Sequence, residues 1–193
     1  MGTFTRGKGI QKVDLFSSGF PAIHYGEVHT RYRTSTSQTV SYVNEDVFNR
    51  STLALPGDVV LATTSEDDES VAKAVAWVGD DSVAVSGDAV VYSHPMETRF
   101  VAYYLGCAKF LRDKMKYITG AKVRRISPQS LSKIFIPVPP LSEQKRIADI
   151  LDTFDALVND LESGLPAEIE ARRKQYEYYR DKLLTFKKLE PTA

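Results

Sequence analysis

The sequence predicts an α+β fold in which a mixed, strand-rich domain over residues 1–140 is followed, over residues 141–193, by long coiled-coil-forming helices. Three observations lead to this prediction. Short runs of β-branched residues fill the middle of the chain, the apolar spacing changes to three and four residues after position 97, and a helical pattern with a narrow apolar seam follows a cluster of prolines. With 42% hydrophobic residues among 193, the chain can bury a core.

Four runs are predicted to be strands, because each combines β-branched residues with turn residues at its ends. They are TVSYVN at 39–44, DVVLATT at 58–64, AKAVAWV at 72–78 and DAVVY at 88–92. Glycine and aspartate cluster between them, which predicts turns at 56–58, 79–81 and 86–88.

Residues 97–118 are predicted to form one helix that packs on the sheet. Its apolar residues recur every three or four positions, at Val101, Tyr104, Leu105, Ala108, Leu111, Met115 and Ile118. After a loop at 119–125, Ser127 and Pro128 are the residue types of an N-cap and a first helical position, so a short helix is expected there. The run KIFIPV at 133–138 is then predicted to be a strand.

The prolines at 137, 139 and 140 are expected to end the globular part, since proline cannot donate to a strand ladder. Ser142 is the predicted N-cap of the next helix. Its seam has the a/d spacing of a coiled coil, at Ile147, Ile150, Phe154, Leu157 and Leu161. An ordinary core helix is the alternative interpretation of residues 142–162.

A break in the helical tract is predicted at Gly164 and Pro166, which both disfavour a helix interior. A second segment then continues the same kind of face, with Ile169, Tyr176, Tyr179, Leu183 and Phe186 on the seam and Arg172 at one seam position. Each segment of about 21 residues would be about 32 Å long, close to one turn of B-DNA. The tract therefore has the length of a spacer on the scale of DNA.

The charges are balanced in total but not along the chain. Lys and Arg number 25, as do Asp and Glu, yet residues 1–39 and 112–140 are basic while 40–111 are acidic. If folding brings the two basic blocks together, they form one positive surface of the kind that binds phosphates. Solvated charges scattered over the surface are the alternative interpretation.

No arrangement of residues in the sequence predicts catalysis, a metal site or a cofactor. His24, His29 and His94 lack a nucleophile or a second pair of metal ligands, and the lone Cys107 in an apolar run is expected to be buried. The acidic cluster at 66–69 is interpreted as a solvated loop. No apolar run reaches the roughly 20 residues of a membrane span, and the N-terminus lacks a signal-peptide core, so a cytoplasmic binding protein is expected.

Several stretches resemble the specificity subunit of type I restriction-modification enzymes. They include GKGIQKVDLFSSGFPAIHYGEVHT at 7–30, LALPGDVVLATTSEDDE at 53–69 and, most specifically, the tract from IPVPPLSEQKRI to GLPAEIEARRKQYEYYR within 136–180. The resemblance implies a non-catalytic subunit with two DNA target-recognition domains and two helical spacers, of which this chain has one each. It also implies double-stranded DNA as a partner, together with a methyltransferase subunit and, through it, a restriction subunit.

Three basic segments are the candidate DNA contacts, because Lys and Arg bind phosphates and base edges from loops. The candidates are Lys122, Arg124 and Arg125 in the loop before Ser127, then Arg31, Tyr32 and Arg33, and finally Arg6 and Lys8 beside glycines. An ordinary solvated turn or hairpin tip is the alternative for the first two segments.

A homodimer through antiparallel helices is expected, because a narrow seam without a partner must find one and two identical helices can pair about a two-fold axis. The predicted dimer seam consists of Ile147, Ile150, Phe154, Leu157, Leu161, Tyr176, Tyr179 and Leu183. A natural half subunit and a piece of a longer one both fit the sequence. A coiled-coil scaffold that never touches DNA is the alternative function.

Overall fold

Eleven short strands form three sheets in a computed structural model that describes residues 2–160 and 166–186. The strands are β1 Thr3–Arg6, β2 Phe20–Ile23, β3 Ser35–Thr36, β4 Ser41–Val43, β5 Thr52–Ala54, β6 Val59–Ala62, β7 Thr64–Ser65, β8 Lys73–Trp77, β9 Val83–Val85, β10 Ala89–Ser93 and β11 Arg124–Arg125. The helices are α1 Tyr25–Thr30, α2 Glu45–Arg50, α3 Thr98–Leu105, α4 Ala108–Lys114, α5 Pro128–Leu131, α6 Leu141–Asp160 and α7 Pro166–Leu183.

The main sheet has the strand order β1-β10-β6-β8-β3, and all its neighbours are antiparallel except β3 and β8. A second sheet has the order β4-β2-β9-β5, and β7 pairs with β11 in a separate two-stranded ladder. The central strand β6 is completely buried, which explains its continuous apolar run. The predicted strands at 39–44, 58–64, 72–78 and 88–92 are confirmed by β4, β6 with β7, β8 and β10.

The predicted strand at 133–138 is wrong, because these residues, all described, form no ladder. The amides of Lys133 and Ile134 instead bond back to Ser130 and Leu131 at the end of α5. Proline at 137, 139 and 140 then removes backbone donors, so the segment is extended without a strand partner. The short helix itself is confirmed, since the Ser127 side chain accepts a hydrogen bond from Ser130 N at 3.1 Å.

The predicted helix at 97–118 is divided into α3 and α4 at Gly106 and Cys107. The Gly106 amide closes the last turn of α3 on Tyr103 O, and Cys107 is the N-cap of α4. The core of the domain lies where α3 covers β6 and β8, around Phe100 and Tyr104. Cys107 is buried as expected, and burial raises the pKa of its thiol.

The helical arm, defined as α6 and α7, is built into this core. The prediction of Ser142 as N-cap is wrong: α6 begins at Leu141, and Pro140 O already accepts from the amides of Glu143 and Gln144. Three residues on one side of α6 are buried in the cluster that contains Phe100, namely Ile147, Ala148 and Leu151. Part of the predicted seam therefore packs on α3, as the core-helix interpretation had it.

Helix α7 runs back along α6 in the antiparallel direction. The rings of Phe154 and Tyr179 stack with centroids 5.7 Å apart, while further along α7 Leu184 joins the cluster of Ile147. The expectation that the seam has no partner in its own chain is therefore wrong, because apolar spacing does not identify the partner. Gly164 and the side chains of Leu161 and Ile169 lie outside the described residues, and Pro166 is the first residue of α7.

The remaining seam residues differ in exposure. Ile150, Phe154, Tyr176 and Leu183 are half-buried, whereas 48% of Leu157 and 37% of Tyr179 is exposed.

Within residues 2–160 and 166–186, we find no helix with the length and apolarity needed to cross a membrane.

Candidate nucleic-acid interface

The three candidate segments meet at one end of the main sheet. Antiparallel pairing aligns Arg6 with Val90, Ala89 with Ala62, and Ala62 with Lys73. The last residues of β1 and β6 and the first residues of β10 and β8 therefore lie together. We name this end, marked by Arg6, Ala62, Lys73 and Ala89, the basic end of the sheet.

A short hairpin extends the basic end beyond β6. Thr119 and Arg125 exchange backbone hydrogen bonds of 2.9 and 2.8 Å, and this basic hairpin (119–125) contains β11 in its second arm. Arg125 is the ladder partner of Thr64 in β7, and the Ile126 amide donates to Thr63 O at 3.1 Å. Gly120 allows the turn, because its φ is +93° and an added Cβ would lie 2.1 Å from Val123 O.

The cations of the basic hairpin have different surroundings. Lys122 and Arg125 are exposed, and neither side chain has a charged or hydrogen-bonded partner in the described part of the chain. Arg124 is half-buried; its Nε lies 2.8 Å from Asp68 Oδ1 and its Nη1 donates to Gly120 O at 2.5 Å. The Arg124 side chain therefore has a counterion, Asp68, within the fold. For Asp68, the interpretation of the acidic cluster at 66–69 as a solvated loop is wrong.

A buried lysine, Lys114, forms hydrogen bonds with the backbone at the end of the acidic segment. Lys114 is 1% exposed, and its Nζ donates to Glu69 O and Val71 O at 2.5 Å each. Burial lowers the pKa of Lys114 to about 8, against the opposing effect of the neighbouring acidic side chains. Sequence reasoning missed this residue, although its position three residues after Leu111 and four before Ile118 places it on the apolar face of the predicted helix.

The second candidate segment joins the same region through β7 and β8. His29 Nε2 lies 3.0 Å from Thr64 O, and Lys73 Nζ donates to His29 O at 2.9 Å. Arg31 and Arg33 follow and are exposed. Tyr32 is buried in the core between the sheets, and its hydroxyl accepts from Val40 N at 3.0 Å, so its side chain is not available to DNA.

The third candidate segment lines an open cleft of about 590 Å³. The lining includes Arg6, Gly7, Lys8, His24, Ser86 and Asp88. Gly7 is required there, because an added Cβ would lie 2.1 Å from Ser86 O. Arg6 is 65% exposed and donates to Gly87 O at 2.9 Å, whereas the Lys8 side chain is exposed and has no partner among the described residues.

The other two histidines, His24 and His94, lie in different parts of the fold. His24 caps α1, since its Nδ1 accepts from Gly26 N at 3.2 Å, and burial lowers its pKa. The neutral ring therefore carries its proton on Nε2 and is a hydrogen-bond donor on the lining of the cleft. His94 lies beyond the other end of β10, with its ring 4.8 Å from that of Tyr92.

The basic end is comparable in width to the major groove of DNA. Four strands separated by about 4.8 Å span about 14 Å from β1 to β8, slightly more than the major-groove width of about 12 Å. The exposed cations along this span come from all three segments: Arg6, Lys8, Arg31, Arg33, Lys122 and Arg125. Exposed cations of this kind can bind a phosphate backbone, and polar groups of the cleft can bind base edges.

Comparison with known proteins identifies a family and several relatives of this chain. A family model described as type I restriction modification DNA specificity domain matches residues 11–171. The type I restriction enzyme EcoR124I/EcoR124II specificity subunit of Escherichia coli is 35% identical over 166 residues, which cover 83% of this chain and 40% of that protein. The type I restriction enzyme MpnII specificity subunit of Mycoplasma pneumoniae is 40% identical over 86 residues, which cover 42% of this chain and 26% of that protein.

Solved structures share the fold. The HsdS subunit from Thermoanaerobacter tengcongensis matches 95% of this chain and 42% of its own with a TM-score of 0.56 and 18% identity. The S subunit of the type I restriction-modification system from M. genitalium matches 84% of this chain and 38% of its own, with a TM-score of 0.51 and 14% identity. The chain thus spans less than half the length of each of these relatives. Because the family model covers most of its residues, this chain belongs to the family of type I restriction modification DNA specificity domains.

Proposed function

We propose that this chain binds duplex DNA through the basic end of the sheet and recognises one half of a two-part target of a type I restriction-modification enzyme. The observation that supports the proposal most is the convergence of exposed cations from three distant segments, in a chain of a DNA specificity family. Cations without a partner among the described residues are free to bind phosphates, so Lys8, Arg31, Arg33, Lys122 and Arg125 are the first choices for contact.

In this proposal the chain supplies recognition and no chemistry. Residues 1–140 are the target-recognition part and residues 141–193 the spacer. Methylation belongs to a methyltransferase subunit bound to the complex, and cleavage belongs to a restriction subunit that joins through it. The chain itself holds no cofactor and acts in the cytoplasm.

A second recognition unit completes the two-part site. The E. coli relative is long enough for two units, since this chain spans 40% of it. We propose that a second copy of this chain provides the other unit, through antiparallel pairing of the helical arms. Exposed apolar side chains are available for that contact among the described residues of the arm, including Leu157, Tyr178 and Tyr179, which are 48%, 61% and 37% exposed.

The test is salt-dependent duplex binding by a double variant, Lys122→Ala with Arg125→Ala. Each phosphate contact adds about 0.9 to the slope of log affinity against log salt, so the slope should fall by about 2 if both residues bind phosphates. A residue that reads a base should add a loss of about 1–3 kcal/mol. Fluorescence anisotropy with duplexes between about 50 and 200 mM salt measures both quantities.

Lys145→Ala is the matched control, because Lys145 is an exposed lysine on the arm, away from the basic end. It should leave affinity and slope unchanged. A scaffold protein would show no salt-dependent duplex binding at all, and unchanged binding by the double variant would remove the basic hairpin from the interface.

Gly120→Ala should weaken duplex binding by roughly tenfold without removing any charge. The new Cβ would clash with Val123 O in a turn whose φ of +93° already disfavours alanine, so Lys122 and Arg125 would be displaced. Gly106→Ala is the control, since its Cβ would lie 3.5 Å from the nearest atom, Tyr103 O, and its φ is −99°. Equal duplex affinity of the two variants, measured by anisotropy, would contradict the role of the hairpin.

A further inference from the structure

One arginine joins the recognition part to the helical arm. Arg99, on α3, contacts three carboxylates: Nε lies 2.8 Å from Glu97 Oε1, Nη2 lies 2.9 Å from Asp149 Oδ1, and Nη1 lies 2.5 Å from Asp152 Oδ2. The Tyr103 hydroxyl donates to the other oxygen of Asp152 at 2.7 Å. Two residues of α3 are therefore bonded to two of α6, and we name these contacts the Arg99 clamp.

Two further residues, Gln144 and Asp181, form hydrogen bonds that attach the arm to the recognition part. Gln144, which is 3% exposed, accepts from Glu97 N at 2.8 Å and donates to Pro139 O at 2.7 Å. At the other end, Asp181 of α7 accepts from Ala108 N at 3.2 Å, where α4 begins. The arm is thus bonded to the recognition part at its first turn, along α6 and near the end of α7.

The Arg99 clamp adds directional hydrogen bonds to the contact between α3 and α6, whose other side chains are apolar. Buried Ile147 and Leu151 fix how closely α6 approaches α3, but apolar contacts are non-directional and do not by themselves select one crossing angle. A guanidinium bound to two carboxylates one turn apart is directional, because its planar fork fits each in one orientation. Other ion pairs of the arm, such as Glu143 with Arg146, lie within one helix and cannot fix its angle.

A small change in the angle between α3 and α6 moves the far end of α6 by a distance comparable to the rise of one base pair. Helix α6 has 20 residues and is about 30 Å long, so a tilt of about 10° moves its far end by about 5 Å. One base pair adds about 3.4 Å and turns the second half-site by about 35°. A tilt of about 10° therefore displaces the far end of α6 by more than the rise of one base pair.

We infer that the Arg99 clamp fixes the angle between the basic end and the helical arm and thereby determines how many base pairs separate the two halves of the target. The inference rests on the proposed function, because it needs two units joined through their arms. It makes Arg99 a positioning residue that determines specificity without touching DNA.

The experiment selects binding duplexes from a fully random pool with the complete chain and reads the gap between the two recovered half-sites. Wild-type protein should recover one gap length predominantly. Arg99→Gln should recover neighbouring gap lengths as well, with the preference for the wild-type gap reduced at least about fivefold. The double variant Asp149→Asn with Asp152→Asn should do the same, since it removes the ion pairs from the arm and leaves Arg99 bound to Glu97.

Arg146→Gln is the matched control, because it breaks an exposed pair on α6 with the same change of charge, and its gap distribution should equal that of wild type. Binding of a duplex with one half-site should stay within about twofold in every variant. A preserved single gap in both clamp variants would overturn the inference and leave the proposed function intact. Loss of single half-site binding along with gap preference would also overturn it, and a wild-type selection without a two-part motif would overturn both.

Discussion

Replacing Lys114 by methionine is expected to lower the free energy of unfolding by about 1–3 kcal/mol at pH 7. Methionine keeps most of the apolar stem, but the carbonyls of Glu69 and Val71 lose their donor, and an unpaired buried acceptor costs about 1–3 kcal/mol. Relief from burying a charge offsets part of this cost. Urea unfolding measures the difference, and Lys116→Met, at an exposed lysine two residues away, should change it little.

The pH dependence of this difference has a definite sign. The folded protein holds the pKa of Lys114 at about 8, against an ordinary value of 10.5. Between these values the unfolded chain keeps a proton that the folded chain has released, so protonation favours unfolding there. The stability of wild type relative to Lys114→Met should therefore rise from about pH 8 to about pH 10.5, by up to about 3 kcal/mol, and be flat below pH 8. A relative stability that falls across this window would contradict the assignment.

The same substitution should weaken duplex binding roughly threefold to tenfold, although Lys114 is buried. It anchors the segment that carries Asp68, and Asp68 in turn holds Arg124 of the basic hairpin. If the hairpin of the variant is ordered only when DNA binds, the binding free energy becomes less favourable by about 0.5–1.5 kcal/mol for each side chain immobilised. Lys116→Met should bind DNA like wild type, and anisotropy with one duplex compares the three proteins.

Local sequence patterns predicted the elements whose cause is local. The strands β6, β8 and β10 lie in apolar runs that contain valine and have turn residues nearby, and α5 is preceded by a serine cap and begins with a proline, whose roles are fixed by backbone chemistry. The strand β1 has only four residues and lies between Gly2 and Gly7. Nothing in this short segment predicts its pairing with β10, some 90 residues away. Pairing between segments this far apart in sequence could be identified only from the folded structure.

The break between α3 and α4 shows the same limit. The apolar spacing continues across Gly106 and Cys107, so periodicity predicted a single helix. The first amide of α4, at Ala108, is instead bonded by Asp181, which comes from the far end of α7. A cap supplied 73 residues later cannot be read from the local sequence.

The candidate site was predicted in composition but not in detail. The charge pattern divided the cations into two basic blocks, and the basic end of the sheet brings residues of both blocks together. The sequence could not separate Arg124, which is paired with Asp68, from its neighbour Arg125, because their partners are set by the fold. Tyr32 was included because aromatic and basic residues alternate there, and the same alternation occurs where one side of a segment is buried.

Leu157→Asp is expected to separate the proposed dimer. Leu157 is 48% exposed one turn beyond Phe154, whose ring stacks on Tyr179, and Tyr178 adjoins that pair. In a two-fold contact each copy would bury an aspartate without a counterion, at a cost of about 3–5 kcal/mol, or at least about a hundredfold in the dissociation constant. Sedimentation at low micromolar concentration should show the variant as a monomer and wild type as a dimer.

DNA binding separates this effect from damage to the fold. Affinity for a duplex with both half-sites should fall by roughly 10²–10⁴, because the second contact is no longer intramolecular, while affinity for one half-site should not change. Leu55→Asp introduces the same charge at a leucine that is 55% exposed and lies in the recognition part, and it should remain a dimer. A dimeric Leu157→Asp protein would place the contact elsewhere on the arm. A monomeric wild type would instead mean that the second recognition unit is not a second copy of this chain, so that two-part recognition would need another segment of a longer protein.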